Sequence, residues 1–587
     1  KAEASLPWDF RPISVSSVLL RCLHRVLAKR ITNTIEISEK QTAFRPLDGC
    51  FLNIHLVDQA LRYHRRKNKS MYMASIDLSK AYDTVTHETI HDTLHQYGFP
   101  APMISYIMGV YEHSSTRIAT TQWEPEPIHP ATGVKQGDPL SPALFNLVID
   151  RFITKLPGYI GAHIGDYRIN AAAFADDVVL FAATKTGLQR LLDIATTSLE
   201  GMGLKVNPAK CHTVAITNIP KEKKTAIDTK TRFRSGQSIL PAVARNDEWK
   251  YLGIPFSPEG RGVFPALRTI TEKCQKIDKA PLKPQQRMFA LRNYILPSLL
   301  HGLALGETHL SLLRKIDNTT RKFVRKWLHL PPDSTSAYIH ADHKDGGLHP
   351  STARSKCSTR LTDQGQKITT PSDISKRWAS KLHESVDGAP LKLSNKVPQQ
   401  HKWVTEPTTF LSGADYVNLC KIRINALPSR SRCSRGRPAK DRFCGGGCNA
   451  VETTNHILQV CHRTHGQRIN RHNCISKHLA KNLTTKGLSV LEEPRLQGPN
   501  GINKPDIIAS TADTAHVIDV QITNDQYCLA RAHRNKAAKY KAITDNIKTL
   551  TDRPNTPSMV VVDLILETTE PSEHLPDPCQ PSTARNR

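Results

Sequence analysis

A multidomain protein of mixed α/β class is what this sequence predicts, on three observations. At 587 residues and 65.5 kDa the chain holds material for about three to five domains. Residues 1 to about 260 alternate short apolar, strand-like runs with helical ones and carry Gly-containing turns, as a compact α/β body does. Beyond them come a helical stretch, a cysteine cluster and a second α/β unit. Lys and Arg number 81 against 53 Asp and Glu, a net charge of +28 with a pI near 9.6. A surface that positive seeks phosphate, so the charge names a nucleic-acid partner but no chemistry. No stretch approaches the roughly twenty apolar residues of a membrane span, and no secretory signal opens the chain, so an intracellular protein with no membrane partner is expected. The 13 cysteines are scattered apart from one ligand-like group, which argues for reduced thiols plus one metal site. The first residue is Lys1, from which further chain upstream is expected.

The elements follow in order. After the body at 1–260, residues 261–350 turn helical. Within Leu310 to Leu330, Ile316, Phe323 and Trp327 share one face, while Arg314, Lys315, Arg321, Lys322, Arg325 and Lys326 make the rest cationic. That charge suits either a solvated face or a grip on a duplex. Residues 351–420 are polar and weakly periodic, a linker with some helix. A basic segment leads into the cysteine cluster over 421–475, an α/β unit spans 476–570, and a Pro-rich tail takes 571–587.

The segment AAAFADDVVLFAAT places Asp176 and Asp177 between two apolar runs, each too short for a helix. Burying adjacent carboxylates costs several kcal/mol each unless a cation neutralises them, and Mg²⁺ suits such oxygens. In MYMASIDLSKAYDTV, Tyr72, Ala74 and Ile76 alternate up to Asp77, which puts a third acid at a strand's end. Three carboxylates could hold two divalent ions about 4 Å apart, the arrangement that serves nucleotidyl transfer. Because adjacent side chains on a strand diverge, Asp77 and Asp176 are the stronger ligand candidates, and Asp177 joins them if the turn bends it inward. Between these acids, Gly133 and Gly137 permit close backbone approach, and Ser141 with Pro142 opens an apolar helix.

The order IDLSKAYD, GVKQGDPLSP, FADD, GLKVNPAKC and YLGIPF resembles the palm of reverse transcriptases. RPIS (11–14) and QTAFRPLDGCFLN (41–53) are similar to the fingers segments of non-LTR retrotransposon and group II intron enzymes, with Ala43 where that family usually has Gly. The resemblance implies a right-hand polymerase: fingers, a palm built on an antiparallel sheet, and a helical thumb. It implies Asp77, Asp176 and Asp177 as Mg²⁺ ligands, Gln136 and Gly137 lining the site for a deoxynucleoside triphosphate, Tyr82 excluding a 2′-hydroxyl by volume, and Leu252 and Gly253 in the primer grip.

In CGGGCNAVETTNHILQVC, Cys444, Cys448, His456 and Cys461 lie with three, seven and four residues between them, a set suited to tetrahedral Zn²⁺. His462, His465 and Cys474 are nearby substitutes. The zinc reads as structural and as part of a nucleic-acid contact together with flanking arginines such as Arg432, Arg435 and Arg437. Further on, NKPDIIASTADTAHVIDVQIT reads as a hairpin, with Asp506 opening one strand and Asp519 interrupting the next. Lys536 and Lys539 follow on a helix, where they could face a scissile phosphate. This unit resembles a restriction-enzyme-like nuclease core, which would bind Mg²⁺ at Asp506 and Asp519. Gln521 stands at that family's lysine position, and Glu492 or Glu493 is a further candidate ligand.

Together these parts resemble the R-two clade of site-specific non-LTR retrotransposons. That family implies target-primed reverse transcription: the nuclease nicks a ribosomal RNA gene in the nucleus, and the freed 3′-hydroxyl primes copying of the element's RNA. The clade's N-terminal DNA readers are not seen here, in keeping with the expected upstream chain. Two other readings stay open, an intron-maturase-like enzyme without the nuclease and a chemically dead RNA-binding remnant.

Overall fold

The computed structural model describes residues 12–118, 126–348, 371–389, 391–392, 402–405, 411–435, 438–499, 501–524, 529–552 and 558–566. The expected tail at 571–587, Arg437 and much of 351–420 lie outside the described residues. The chain divides into two compact units, Lys1–Phe264 with His301–Thr308, and Pro265–Leu300 with His309–Arg587.

The first unit is built on seven strands: β1 (Met71–Ile76), β2 (Ala162–Ile164), β3 (Tyr167–Ile169), β4 (Ala171–Phe174), β5 (Asp177–Ala182), β6 (His212–Ile219) and β7 (Lys224–Ile227). Five form one antiparallel sheet in the order β4-β5-β1-β6-β7, and β2 pairs with β3 as a ribbon. The sheet is buried on both faces. Ala74 and Ile76 join a core with Phe145 and Phe152 of α6 (Ser141–Lys155) and Leu188 and Leu192 of α7 (Lys185–Glu200). Met71 and Met73 turn the other way, onto Ile54, Val57 and Leu61 of α2 (Gly49–Arg66). Burial on two sides is why these strands read as near-continuous apolar runs instead of alternating ones. Around the sheet stand α1 (Val18–Thr34), the single turn α3 (Ala81–Thr84), α4 (His87–Gln96) and α5 (Ala101–Glu112). A ribbon, β8 (Arg234–Ser235) with β9 (Ser238–Ile239), and a small sheet, β10 (Trp249–Tyr251), β11 (Ile254–Ser257) and β12 (Gly260–Arg261), complete the unit.

The second unit opens with helices α8 (Ala266–Lys279), α9 (Pro284–Ala290), α10 (Leu296–Leu305, whose last residues count with the first unit), α11 (Leu310–Trp327) and α12 (Ser336–His340). On α11 the apolar stripe runs through Leu313, Ile316, Val324 and Trp327. Phe323 sits half-buried at its margin, because spacings of three and four bring Val324 more squarely onto the core face. Part of the helix's charge is used internally: Lys326 Nζ lies 2.6 Å from Asp278, and Arg325 donates to Ser334 O and Ser336 Oγ. Within the polar stretch 351–420, the helix Pro371–Glu384 forms on the spacing of Ile374 and Leu382, both buried.

Arg432 corrects an expectation. It is not a surface group for nucleic acid but a buried one, 2.8 Å from Asp387 and 3.3 Å from Asp333, while Arg435 reaches the same two acids at 3.1 and 2.9 Å. Desolvated guanidinium and carboxylate must pair, and these arginines knit segments far apart in the chain.

The C-terminal part carries β13 (Ser489–Glu492), β14 (Leu496–Gly498), β15 (Gly501–Asn503), β16 (Ile507–Ser510), β17 (Ala515–Asn524) and β18 (Ser558–Leu566). Four of them form a sheet in the order β13-β16-β17-β18, antiparallel except for the parallel pair β17–β18. One face of this sheet buries Ile507, Ala509 and Ile518 with Ala480 of the helix His465–Thr485. On the other, Ile508 and Val517 meet Tyr540, Ile543 and Ile547. Among the described residues no helix is long and apolar enough to cross a membrane.

Candidate active sites and metal cluster

Asp77 directly follows β1, Asp176 lies in the turn of the β4–β5 hairpin, and Asp177 is the first residue of β5. Extending the β1–β5 register by one position sets Asp77 opposite Asp177. On that register Asp177 faces Asp77 across the strand pair, and Asp176 sits beside it in the turn. Burial, then the charges of Asp176 and Asp77, push the Asp177 carboxyl up to about 6. The Asp77 Oδ2 atom is buried with no hydrogen-bond partner, its nearest cation being Lys210 Nζ at 3.7 Å. A buried, unsatisfied carboxylate oxygen beside two more acids is the donor set a hard divalent cation takes. The residues therefore fit Mg²⁺.

The turn is held by a residue the sequence reading passed over. Gln41, fully buried, accepts from Ala175 N–H at 3.0 Å and donates to Ala175 O at 3.3 Å, gripping both backbone groups of a residue at φ +54°. Its own strand bridge to Ala173 fixes that grip, and Ala43, at a position where Gly was the expectation, is accommodated fully buried.

Loop 133–138 lies against the segment following Asp77. Gly133 N–H donates to Val85 O and Val134 N–H to Tyr82 O, both at 2.7 Å, and Gln136 Nε2 donates to Asp83 Oδ1 at 2.7 Å. Gly137 sits at φ +108°, where a Cβ would stand 2.5 Å from Ser14 O, so only glycine fits. Tyr82 stacks on Phe145 with centroids 4.2 Å apart; burial, then Asp176, raise its hydroxyl above the usual range. Leu252 and Gly253 form the two-residue β10–β11 turn, both at positive φ, with Leu252 O bonded to His301 Nε2 at 2.8 Å. Just before them, the buried Tyr251 hydroxyl is raised by desolvation and by Asp177.

In the second unit, the ligand atoms of Cys444, Cys448, His456 and Cys461 all lie within 4.8 Å of one another. Sulfur pairs 444–461 and 448–461 are each 3.8 Å apart, far beyond a disulfide and equal to the tetrahedral edge that zinc–sulfur bonds of about 2.3 Å generate. His456 Nε2 is buried with no hydrogen-bond partner, the remaining corner of that tetrahedron. The residues fit zinc. His462 Nδ1 stands 3.1 Å from Cys448 Sγ, whereas His465 turns to Arg468 and Cys474 is exposed. Among the described residues the three acids Asp77, Asp176 and Asp177 form no group as tight as this one.

Asp506 precedes β16, and the β16–β17 register continued by one residue sets it opposite Asp519. Asp506 Oδ2 accepts from Val520 N–H at 2.7 Å and lies 3.2 Å from His472 Nε2. Burial and the neighbouring Asp519 raise Asp506. Burial opposes ionisation of Asp519 too, yet hydrogen bonds from Asp506, Lys536 and Tyr540 hold its carboxyl below the ordinary range. Lys536 Nζ lies 2.9 Å from Asp519 Oδ2. The Lys539 ammonium sits over the Tyr540 ring, 4.9 Å from the centroid and 3.5 Å from the Tyr540 hydroxyl, which bonds Asp519. Glu493 pairs with Lys504, and Glu492 is exposed on the edge strand β13. Gln521 Oε1 is buried without a partner, two residues along β17 from Asp519 and so on its face.

Residues 2–256 match the family described as reverse transcriptase (RNA-dependent DNA polymerase). The chain is 43% identical over 571 residues, 92% of its length, to the Pol polyprotein of the type-2 retrotransposable element R2DM of Drosophila melanogaster. It is 37% identical over 559 residues, 91% of its length, to that of the type-1 element R2 of Nasonia vitripennis. The chain belongs to the R2 retrotransposon Pol polyprotein family. It spans about half the length of these R2 relatives, 54% of each. The similarity to R2 polyproteins covers both units, so the cysteine cluster and the Asp506–Asp519 pair fall within it as much as the acids of the first sheet do. Among solved structures, apo telomerase from Candida tropicalis aligns with 61% of this R2-family chain and 60% of its own, at 11% identity and a TM-score of 0.36.

Proposed function

We propose that this chain is an RNA-directed DNA polymerase joined to a metal-dependent DNA endonuclease, and that it performs target-primed reverse transcription. The observation that carries the reading is the pair of acid centres, half-buried Asp77, Asp176 and Asp177 in one unit and half-buried Asp506 with buried Asp519 in the other, within a chain of charge +28. In this reading residues 1–260 are fingers and palm, 261–350 thumb, 351–420 a connecting region, 421–475 the zinc knuckle with its basic approach, and 476–570 the nuclease. The partners are the element's RNA as template, deoxynucleoside triphosphates, and a chromosomal target such as a ribosomal RNA gene, which places the work in the nucleus.

In the polymerase centre, Asp77, Asp176 and Asp177 would hold Mg²⁺, which when bound supplies the positive charge that favours an attacking 3′-oxygen and a departing pyrophosphate. The chain's own groups do the arranging. Gln41 fixes the acid turn, Gln136 is oriented by Asp83, and the Tyr82 ring, immobilised on Phe145, leaves little room for a 2′-hydroxyl. In the nuclease centre, Asp506 and Asp519 would hold Mg²⁺, with Lys536, 2.9 Å from Asp519 Oδ2, positioned to meet phosphate charge. Cys444, Cys448, His456 and Cys461 would hold a structural zinc.

The test is separability. Asp176→Ala should abolish extension of a primed RNA template and leave nicking of target duplex intact, and Asp519→Ala should do the reverse. Retention of both activities in either variant would remove the assignment, and extension without any nicking by the parent protein would favour the maturase-like alternative.

A further inference from the structure

Resting on the polymerase reading above, the geometry points to His24 as a positioning residue for nucleotide binding, acting through Asp138 on loop 133–138. His24 lies on the inner face of α1 and is 1% exposed, and Asp138, at the end of the loop, is 7% exposed. Their Nδ1 and Oδ2 atoms are 2.6 Å apart, and His24 Nε2 is 2.9 Å from the Tyr106 hydroxyl of α5. A carboxylate only accepts, so the ring carries a proton on Nδ1 and donates it to Asp138. The other Asp138 oxygen accepts from Leu140 N–H at 2.8 Å, just ahead of α6. Asp138 is thus a buried acid whose two oxygens are both committed, one to α1 and one to the loop's exit.

None of these three side chains reaches the acids of the sheet, so the proposed chemistry makes no direct use of them. What they touch is the loop that carries Gln136. That loop is pinned at its start by Tyr82 O and Val85 O and in its middle by Ser14 N–H on Gln136 O at 2.7 Å. Its far end is pinned by His24 through Asp138. The three anchors come from three different segments, and between them Gly137 lies at φ +108° against Ser14 O. Releasing the His24 anchor leaves a buried carboxylate short of a donor, and the loop is the part free to move to water to satisfy it. The chain thereby fixes the loop before the nucleotide arrives.

The experiment is steady-state extension of a primed RNA template by the full 587-residue chain, read as KM for the deoxynucleoside triphosphate and kcat separately, beside melting temperature and nicking of target duplex. His24→Ala should raise the nucleotide KM about tenfold or more with a much smaller change in kcat, and nicking should be unchanged. His24→Asn places an amide N–H where Nδ1 stood and should recover most of the KM. His24→Gln, whose amide extends toward Tyr106, should not, and Tyr106→Phe should stay near the parent value. Should Ala prove too unstable to assay, Asn against Gln alone decides. Equal KM values for Asn and Gln, or losses that follow melting temperature in every variant, would overturn the inference and leave His24 a packing residue. A parent chain that nicks but extends nothing would instead overturn the polymerase reading.

Discussion

Asp177 carries its charge against burial and against two neighbouring carboxylates, and this has a pH signature. An unfolded aspartate titrates near 3.9, whereas the folded one is pushed up to about 6. Between those values the folded chain keeps a proton that the unfolded chain has released, so this residue's contribution to stability falls as pH rises through the window and stays low above it. Asp177→Asn removes the penalty. In chelator-treated protein the variant should melt about 3 °C or more above the parent at pH 8 and lose that advantage at pH 4, while extending no primer. A melting difference that is the same at both pH values would contradict the carboxylate crowding. At this scale the acids were legible because a charge interrupting an apolar strand demands an explanation. Gln41 and His24 were not, since the groups they hold lie 134 and 114 positions away and a lone Gln or His announces no partner.

Among the elements, helices and strands with a strong period were readable and their partners were not. The stripe on α11 was visible from its spacing. Lys536 and Lys539, three apart, share a helical face, and Lys536 pairs with Asp519 directly while Lys539 meets the Tyr540 ring and hydroxyl. The run of arginines before the cysteine cluster read as a phosphate-seeking surface, since sequence shows the cations and not the carboxylates that return to them from Asp333 and Asp387. Arg432→Ala should therefore destabilise the second unit by about 2 kcal/mol, because it strips one of two arginine partners from buried Asp387. Chemical denaturation measures this. A variant of unchanged stability with weaker nucleic-acid binding would return Arg432 to the surface role.

For the whole molecule, net charge gave the partner class and motif order gave the family, while the division into units followed contacts no motif encodes. The helix His465–Thr485 begins four residues after Cys461 and forms one wall of the C-terminal sheet. Purified protein should contain about one zinc per chain by elemental analysis. His456→Ala should lose it and lower the melting temperature, and His462→Ala should retain it. The opposite pattern would make His462 the fourth ligand.

One feature of the chain's path bears on how such a protein can be taken apart. Residues His301–Thr308 belong to the first unit although stretches of the second precede and follow them. Within that loan, Leu305 completes the apolar core, Glu307 meets Arg62 at 3.4 Å, and Gly302 leaves the space that the Phe264 ring fills. Severing the peptide after Phe264 would orphan the amino-terminal piece from eight of its own residues. Anyone seeking that piece as a free-standing reagent must splice the octet back by a short bridge, and a protease that clips the chain once should yield fragments that stay together under native conditions.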